Sequence, residues 1–244
     1  MAKAIPLDNL PVISRNQPVS SDISFGSGTV ILIDKAAGWT SFDVVKKLRG
    51  MIKVKKIGHA GTLDPAATGL LILCTGKATK SIEQIQEQEK SYRAEIRFGA
   101  STPSYDAETP VDTEADWKHI TRMEIEDVIR NKFLGKIDQT VPPYSAVKVN
   151  GQRLYKKARK GEEVELKTRP VEIYDLDVIS FELPVVTVQV RCSKGTYIRS
   201  LAHDIGLALD SRAYLSGLRR TGIGTFSVGE ALTVQEFEKQ LNDA

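Results

Sequence analysis

Apolar and polar positions recur along this chain with two periods, and these sort it into strands and helices. Residues 90–98 alternate with period two: Tyr92, Ala94, Ile96 and Phe98 share one face while Arg93, Glu95 and Arg97 take the other, as in a half-buried strand. Residues 29–33 and 70–74 are continuous apolar runs, the pattern of buried strands. Residues 170–181 and 185–192 predict two antiparallel strands joined through Pro184. The helical period begins behind Thr40 or Ser41 as a cap, with Val44, Val45, Leu48 and Ile52 on one face and Lys46, Lys47 and Arg49 away from it. Residues 78–86 and 121–133 predict further helices. A turn at Lys194-Gly195-Thr196, with Thr196 as N-cap, opens another whose stripe is Tyr197, Ile198, Leu201, Ile205 and Leu209. Residues 1–27 carry Pro6, Pro11 and Pro18, show neither period, and predict a flexible leader. Elements counted this way amount to an α+β fold of one or two lobes.

Composition narrows the setting. The chain of 244 residues is 41% apolar, enough for a sizeable core. No apolar run approaches the ~20 residues of a membrane span, and the start lacks a signal peptide's apolar core. Cys74 and Cys192 lie in apolar strand-like segments without a CxxC partner, which predicts buried thiols, no metal site and a reducing cytoplasm. Net charge is only +3, but residues 46–56 hold six basic residues and no acid, and residues 148–169 hold eight basic against three acidic. Such runs suit a polyanion, although each taken alone also reads as a solvated helix face. Tyr144 and Tyr155 are interleaved with these cations, a composition that suits base stacking and phosphate contact on RNA.

The stretch with the most chemistry is Gly58-His59-Ala60-Gly61-Thr62-Leu63-Asp64-Pro65, followed by Gly69 and the apolar run. Asp64 precedes a proline and is biased away from helix, and Gly61 permits a tight turn. The expectation is a stiff loop presenting one carboxylate in front of a buried strand. Asp-Pro is also common turn chemistry, so locally the residue reads equally as a turn stabiliser.

The run 58–80, GHAGTLDPAATGLLILCTGKATK, resembles the nucleophile motif of the TruB-type tRNA pseudouridine synthases. Three further motifs follow in that family's order: Tyr92-Arg93-Ala94 with Phe98-Gly99, then Cys192 to Leu201, then Leu218-Arg219-Arg220-Thr221 with Gly224 and Phe226. Residues 142–161 resemble the family's insertion, which closes as a thumb over the T-arm. Three departures are visible: Ala36 stands where DKPxGxTS has proline, Pro143 and Tyr144 are adjacent without the insertion's usual spacer, and Thr102-Pro103-Ser104-Tyr105-Asp106 replaces a threonine-rich T-x-T-x-D, read here as a hairpin variation.

The resemblance implies a pseudouridine synthase fold: a long mixed, mainly antiparallel sheet flanked by helices, with a central active-site cleft and a thumb at 135–169. It implies isomerisation of the uridine at position 55 of the tRNA T-loop, without cofactor or metal, by breaking N1–C1′, turning the uracil and rejoining it through C5. Asp64 is then the nucleophile, or the base at C2′, and the sequence does not choose between them. Arg199 is its counter-ion, since an arginine keeps a carboxylate ionised where burial favours the neutral form. Tyr92 and Leu218 sandwich the base, His59 fills the space it leaves, and Tyr197 faces the substrate. Lys148, Arg153, Tyr155, Lys156, Lys157, Arg159, Arg219 and Arg220 are expected on the RNA. His59 and Tyr197 also have plain readings, as a loop histidine bonded to backbone and as core. Two other functions stay open: an RNA-binding protein without turnover, and a synthase acting on other RNA uridines.

Residues 28–226 are thus expected as a catalytic domain. Residues 227–244 are expected as a short tail in place of a PUA domain, with Phe237 and Leu241 docking a helix over 233–241. The expected partner is the tRNA T-arm, met by a monomer with no obligate protein partner and no membrane.

Overall fold

A computed structural model describes residues 5–145, 148–149, 152–153 and 167–244. Its strands, in chain order, are β1 Val12–Ile13, β2 Val30–Lys35, β3 Ile57–His59, β4 Thr68–Thr75, β5 Lys90–Phe98, β6 Ala100–Ser101, β7 Thr113–Glu114, β8 Gly135–Thr140, β9 Lys148–Val149, β10 Gln152–Arg153, β11 Thr168–Glu182, β12 Val185–Cys192, β13 Ala213–Ile223 and β14 Phe226–Ser227. Ten of them form one sheet whose main path is β1-β2-β4-β13-β5-β12-β11-β8. β2–β4, β3–β4, β11–β12 and β8–β11 pair antiparallel, whereas β1–β2 and β4–β13 pair parallel. This is the mixed, mainly antiparallel sheet of the expected α+β class. The chain divides into two compact units, residues 1–92 with 219–244, and residues 93–218.

In the first unit, residues 30–33 of β2 and 70–74 of β4 are apolar on both faces of the sheet. Val30, Leu32, Leu70, Ile72 and Cys74 point to one face, while Ile31, Ile33, Leu71 and Leu73 point to the other. One face is covered by Ala78 and Ile85, the other by Val44, Val45 and Leu48 of the Ser41–Ile52 helix and by Phe237. A sheet covered on both sides favours continuous apolar runs, and each large side chain so buried contributes about 1.5–3 kcal/mol. The Ser41–Ile52 helix starts where expected, with Thr40 and Asp43 forming a capping box. The C-terminal helix Val234–Asp243 is capped likewise by Thr233 and Glu236, and it docks through fully buried Phe237 and partly buried Leu241, as the sequence predicts.

The flexible leader is corrected. Residues 5–27 are part of this unit: β1 pairs with β2, Leu10 and Ile13 are buried, the Arg15 Nε donates to the Ala231 carbonyl at 2.8 Å, and Phe25 meets Phe237 edge-on. A strand of two residues is too short to show a period, and every partner it uses is distant in sequence.

In the second unit, Ala94, Ile96 and Phe98 of β5, Val186, Val188 and Val190 of β12, and Leu201, Ala202 and Ile205 of the Ile198–Ala208 helix are all buried. That helix begins one residue later than predicted. Thr196 closes the preceding turn by donating to the Ser193 carbonyl, and Tyr197 is the N-cap position. The thumb boundary also moves. Residues 135–140 and 168–173 are paired in register as sheet, Thr168 opposite Thr140, so any insertion lies between them. Within the basic run 148–169, residues 152–153 form strand β10, and residues 154–160 lie outside the described residues. Among the described residues no helix is long and apolar enough to cross a membrane.

Candidate active site

Asp64 sits, half-buried, in a loop whose backbone is tied on every side within the first unit. The Ser41 hydroxyl accepts from the Leu63 amide at 2.9 Å, and the Asp64 carbonyl accepts from the Ala67 amide at 3.1 Å. The Pro65 carbonyl accepts from the Gly38 amide at 2.8 Å and from the Lys35 ammonium at 3.3 Å. Lys35, with no exposed surface, also donates to the carbonyls of Trp39 at 2.7 Å and Ala36 at 3.0 Å. Burial pushes its ammonium below the usual lysine range, and the Asp64 carboxylate opposes that shift.

A second buried cation holds the other side of the loop. Arg220, 2% exposed, donates to the carbonyls of Leu70 at 2.8 Å, Gly61 at 3.1 Å and Thr62 at 3.4 Å, and to the Tyr92 hydroxyl. It reaches them because β13 runs parallel beside β4, with Arg220 opposite Gly69. The approach is so close that a Cβ at Gly69 would lie 2.2 Å from the Arg220 carbonyl oxygen, and Gly69 has φ +102° besides. The expectation that Arg220 contacts RNA is therefore corrected: a guanidinium enclosed by carbonyls offers no donor to a phosphate. Its neighbour Arg219 points the other way and is half-exposed, with its charge met by Asp34 in a two-pronged pair at 2.6 and 3.0 Å.

The first unit thus brings Asp64, Tyr92 and Arg220 together with Lys35, which sequence reasoning did not single out although it lies in a recognised motif. His59 ends β3 and is half-buried. Its Nδ1 has no hydrogen-bond partner and burial pushes its imidazole down, while the Gly61 backbone bonds the ring. The ring is accordingly neutral at pH 7. The same unit carries a basic cleft of about 510 Å³ lined by Lys53, Lys55, Lys56, Lys77 and Lys80 with Thr79. Three of these lysines were visible in the run 46–56. The other two needed the fold to bring the segment after β4 beside them.

Within the second unit, Arg199 is 6% exposed and held on several sides. Its guanidinium pairs with the Asp106 carboxylate at 3.2 Å and donates to the carbonyls of Ser104 at 3.2 Å and Tyr144 at 3.1 Å. The segment 102–106, read from sequence as a mere hairpin variation, thus supplies the arginine's carboxylate. Tyr197 is half-buried, with the Arg169 guanidinium 4.5 Å over its ring and its backbone amide and carbonyl both bonded by the Gln139 side chain. Leu218 is half-buried on β13. Lys148 and Arg153 lie on β9 and β10, which pair with each other. Tyr155, Lys156, Lys157 and Arg159 lie outside the described residues. Both thiols are buried, and burial pushes Cys74 up to about 12, so it is inert as a nucleophile.

The chain is similar to known proteins. The family described as TruB family pseudouridylate synthase, N-terminal domain, matches residues 49–198, and the tRNA pseudouridylate synthase B C-terminal domain matches residues 199–244. A protein of Phocaeicola vulgatus named tRNA pseudouridine synthase B is 47% identical over 227 residues, 90% of this chain and 96% of that one. Its namesake in Parabacteroides distasonis is 48% identical over 222 residues, 88% of this chain and 94% of that one. Among solved structures, a chain of a Cbf5-Nop10-Gar1 complex aligns with a TM-score of 0.70 at 29% identity, over 98% of this chain. This chain spans only 60% of that longer one. On the extent of these matches, and on the motifs that carry Asp64 and Arg199, the chain belongs to the TruB family of pseudouridylate synthases.

Proposed function

We propose that this protein isomerises uridine to pseudouridine in tRNA, at position 55 of the T-loop, with Asp64 as the reacting carboxylate. The observation that carries the reading is the Asp64 loop itself. Two buried cations, Lys35 and Arg220, and the Ser41 hydroxyl fix its backbone, at a cost in desolvation that a simple turn does not require. Holding a carboxylate in one geometry is what attack at C1′, or proton abstraction at C2′, needs.

The target nucleotide leaves its loop at a cost of a few kcal/mol. The N1–C1′ bond breaks, the uracil turns, C5 bonds to C1′, and the proton lost from C5 is balanced by one gained at N1. Arg199, itself positioned by Asp106, serves as counter-ion to the reacting carboxylate. Tyr92 and Leu218 bracket the loose base, His59 occupies the space it vacates, and Tyr197 lies against the substrate. Phosphates of the T-arm are held by Lys148, Arg153, Tyr155, Lys156, Lys157 and Arg159 and by the lysine cleft. The enzyme works as a monomer in the cytoplasm.

The test is tritium release from a T-arm stem-loop carrying uridine labelled at C5. The wild-type chain should release label from the target position. Asp64→Asn should abolish release while RNA affinity stays within a few fold, because the amide keeps the shape and loses the lone-pair chemistry. Appreciable turnover by that variant would refute the assignment of Asp64. Release from other uridines but not the T-loop would refute the site.

A further inference from the structure

Arg199 depends on a segment of unusual backbone. Ser104 and Asp106, which hold its guanidinium through a carbonyl and a carboxylate, are separated by one residue, Tyr105. Tyr105 has φ +63°, the left-handed region that an aromatic residue seldom enters. Something must hold it there, and its backbone bonds explain only part of this. The Tyr105 amide donates to the Thr102 carbonyl at 3.1 Å, and its carbonyl accepts from the Leu215 amide at 3.0 Å. Its ring lies flat on the His203 imidazole, centroids 3.9 Å apart and planes 12° from parallel. His203 is four residues beyond Arg199 on the Ile198–Ala208 helix, hence one turn further along the same face. The imidazole is half-buried, its enclosed Nδ1 has no partner, and burial disfavours its charged form. A neutral ring without a full set of hydrogen bonds is better explained by stacking than by polar chemistry.

We propose that the Tyr105–His203 stack is a positioning device: it locks Tyr105 in the left-handed conformation and so aims the Ser104 carbonyl and the Asp106 carboxylate at Arg199. One helix thereby carries both the arginine and the clamp that sets its partners. Both residues act through Arg199. The inference rests on the reading of Arg199 as counter-ion to the reacting carboxylate.

The test uses the full chain and the T-arm stem-loop, with single-turnover rates at saturating RNA and a separate dissociation constant. His203→Ala should slow the reaction at least tenfold and leave RNA affinity within twofold, since only the aim of Arg199 changes. His203→Phe keeps a flat ring and should recover the rate to within threefold. Tyr105→Gly, which adopts positive φ freely but has no ring, should match His203→Ala. The double variant should be no slower than either single one, because both remove the same stack. A wild-type rate in His203→Ala, a failure of phenylalanine to recover the rate, or multiplicative losses in the double variant each overturn the proposal. Arg199→Ala is measured alongside: if it is fully active, the reading of Arg199 falls, whereas an inactive Arg199→Ala beside a fast His203→Ala sinks the stack alone.

Discussion

Replacing Arg220 by methionine separates a buried brace from an RNA contact, which the letters of the sequence do not. Methionine fills much of the volume but donates nothing. The Leu70 and Gly61 carbonyls, bonded at 2.8 and 3.1 Å, lose a charged donor, and the 3.4 Å contact with Thr62 adds little. Three charge-assisted bonds, the third to the Tyr92 hydroxyl, at about 1.5–3 kcal/mol each give a gross loss of about 4.5–9 kcal/mol. Removing the guanidinium also relieves its own desolvation, a few kcal/mol in the other direction. The net expectation is about 2–4 kcal/mol, and at about 2–4 °C per kcal/mol for a chain of this size the thermal midpoint should fall by about 5–15 °C. Turnover should fall as well at a temperature where the variant is folded, because the loop ahead of Asp64 is released. The assays are a thermal melt, tritium release at saturating RNA, and RNA affinity over a salt series. The salt slope should not change, since a guanidinium enclosed by carbonyls neutralises no phosphate. A midpoint within 2 °C of wild type, or a shallower salt slope, would refute this account of Arg220.

Converting Lys53, Lys56 and Lys80 to glutamine should instead leave the midpoint alone and flatten the salt dependence, by about 0.7–0.9 in log–log slope for each phosphate no longer neutralised; an unchanged slope would make the cleft an ordinary solvated face. Asp204 gives a pH prediction. Burial pushes its carboxyl up to about 6, so between pH ~4 and ~6 the folded state keeps a proton that the unfolded chain has released, and stability falls as pH rises through that window. The unscreened penalty above pH 6 is about 3 kcal/mol, and with part of the group open to solvent we take about 1–2. Asp204→Asn should therefore stabilise the protein at pH 7.5 and make little difference at pH 3.5, in paired denaturant titrations; equal stability at pH 7.5 would mean that the carboxylate is better solvated than its burial implies.

Much of the fold was legible because it is local. The alternation in 90–98 is a property of one strand, and β5 spans those residues. The apolar runs of β2 and β4, the capping residue Thr40, and the docking pair Phe237 and Leu241 all follow from periods and caps a few residues long. The motif at 58–65 marks Asp64 from sequence alone. What remained hidden depends on partners far away in sequence. Arg219 and Arg220 are adjacent cations with the same letter, yet β13 turns one to Asp34 at the surface and buries the other among carbonyls some 150 residues distant. Residues 5–27 looked unstructured because their order comes from β2 and the C-terminal helix, which no local window contains. Asp106 passed for part of a hairpin until the Ile198–Ala208 helix brought Arg199 to it. Local chemistry determines which element a segment can form, and only the packed chain decides which buried charge meets which partner, because that energy belongs to a pair and cannot be assigned to either residue alone.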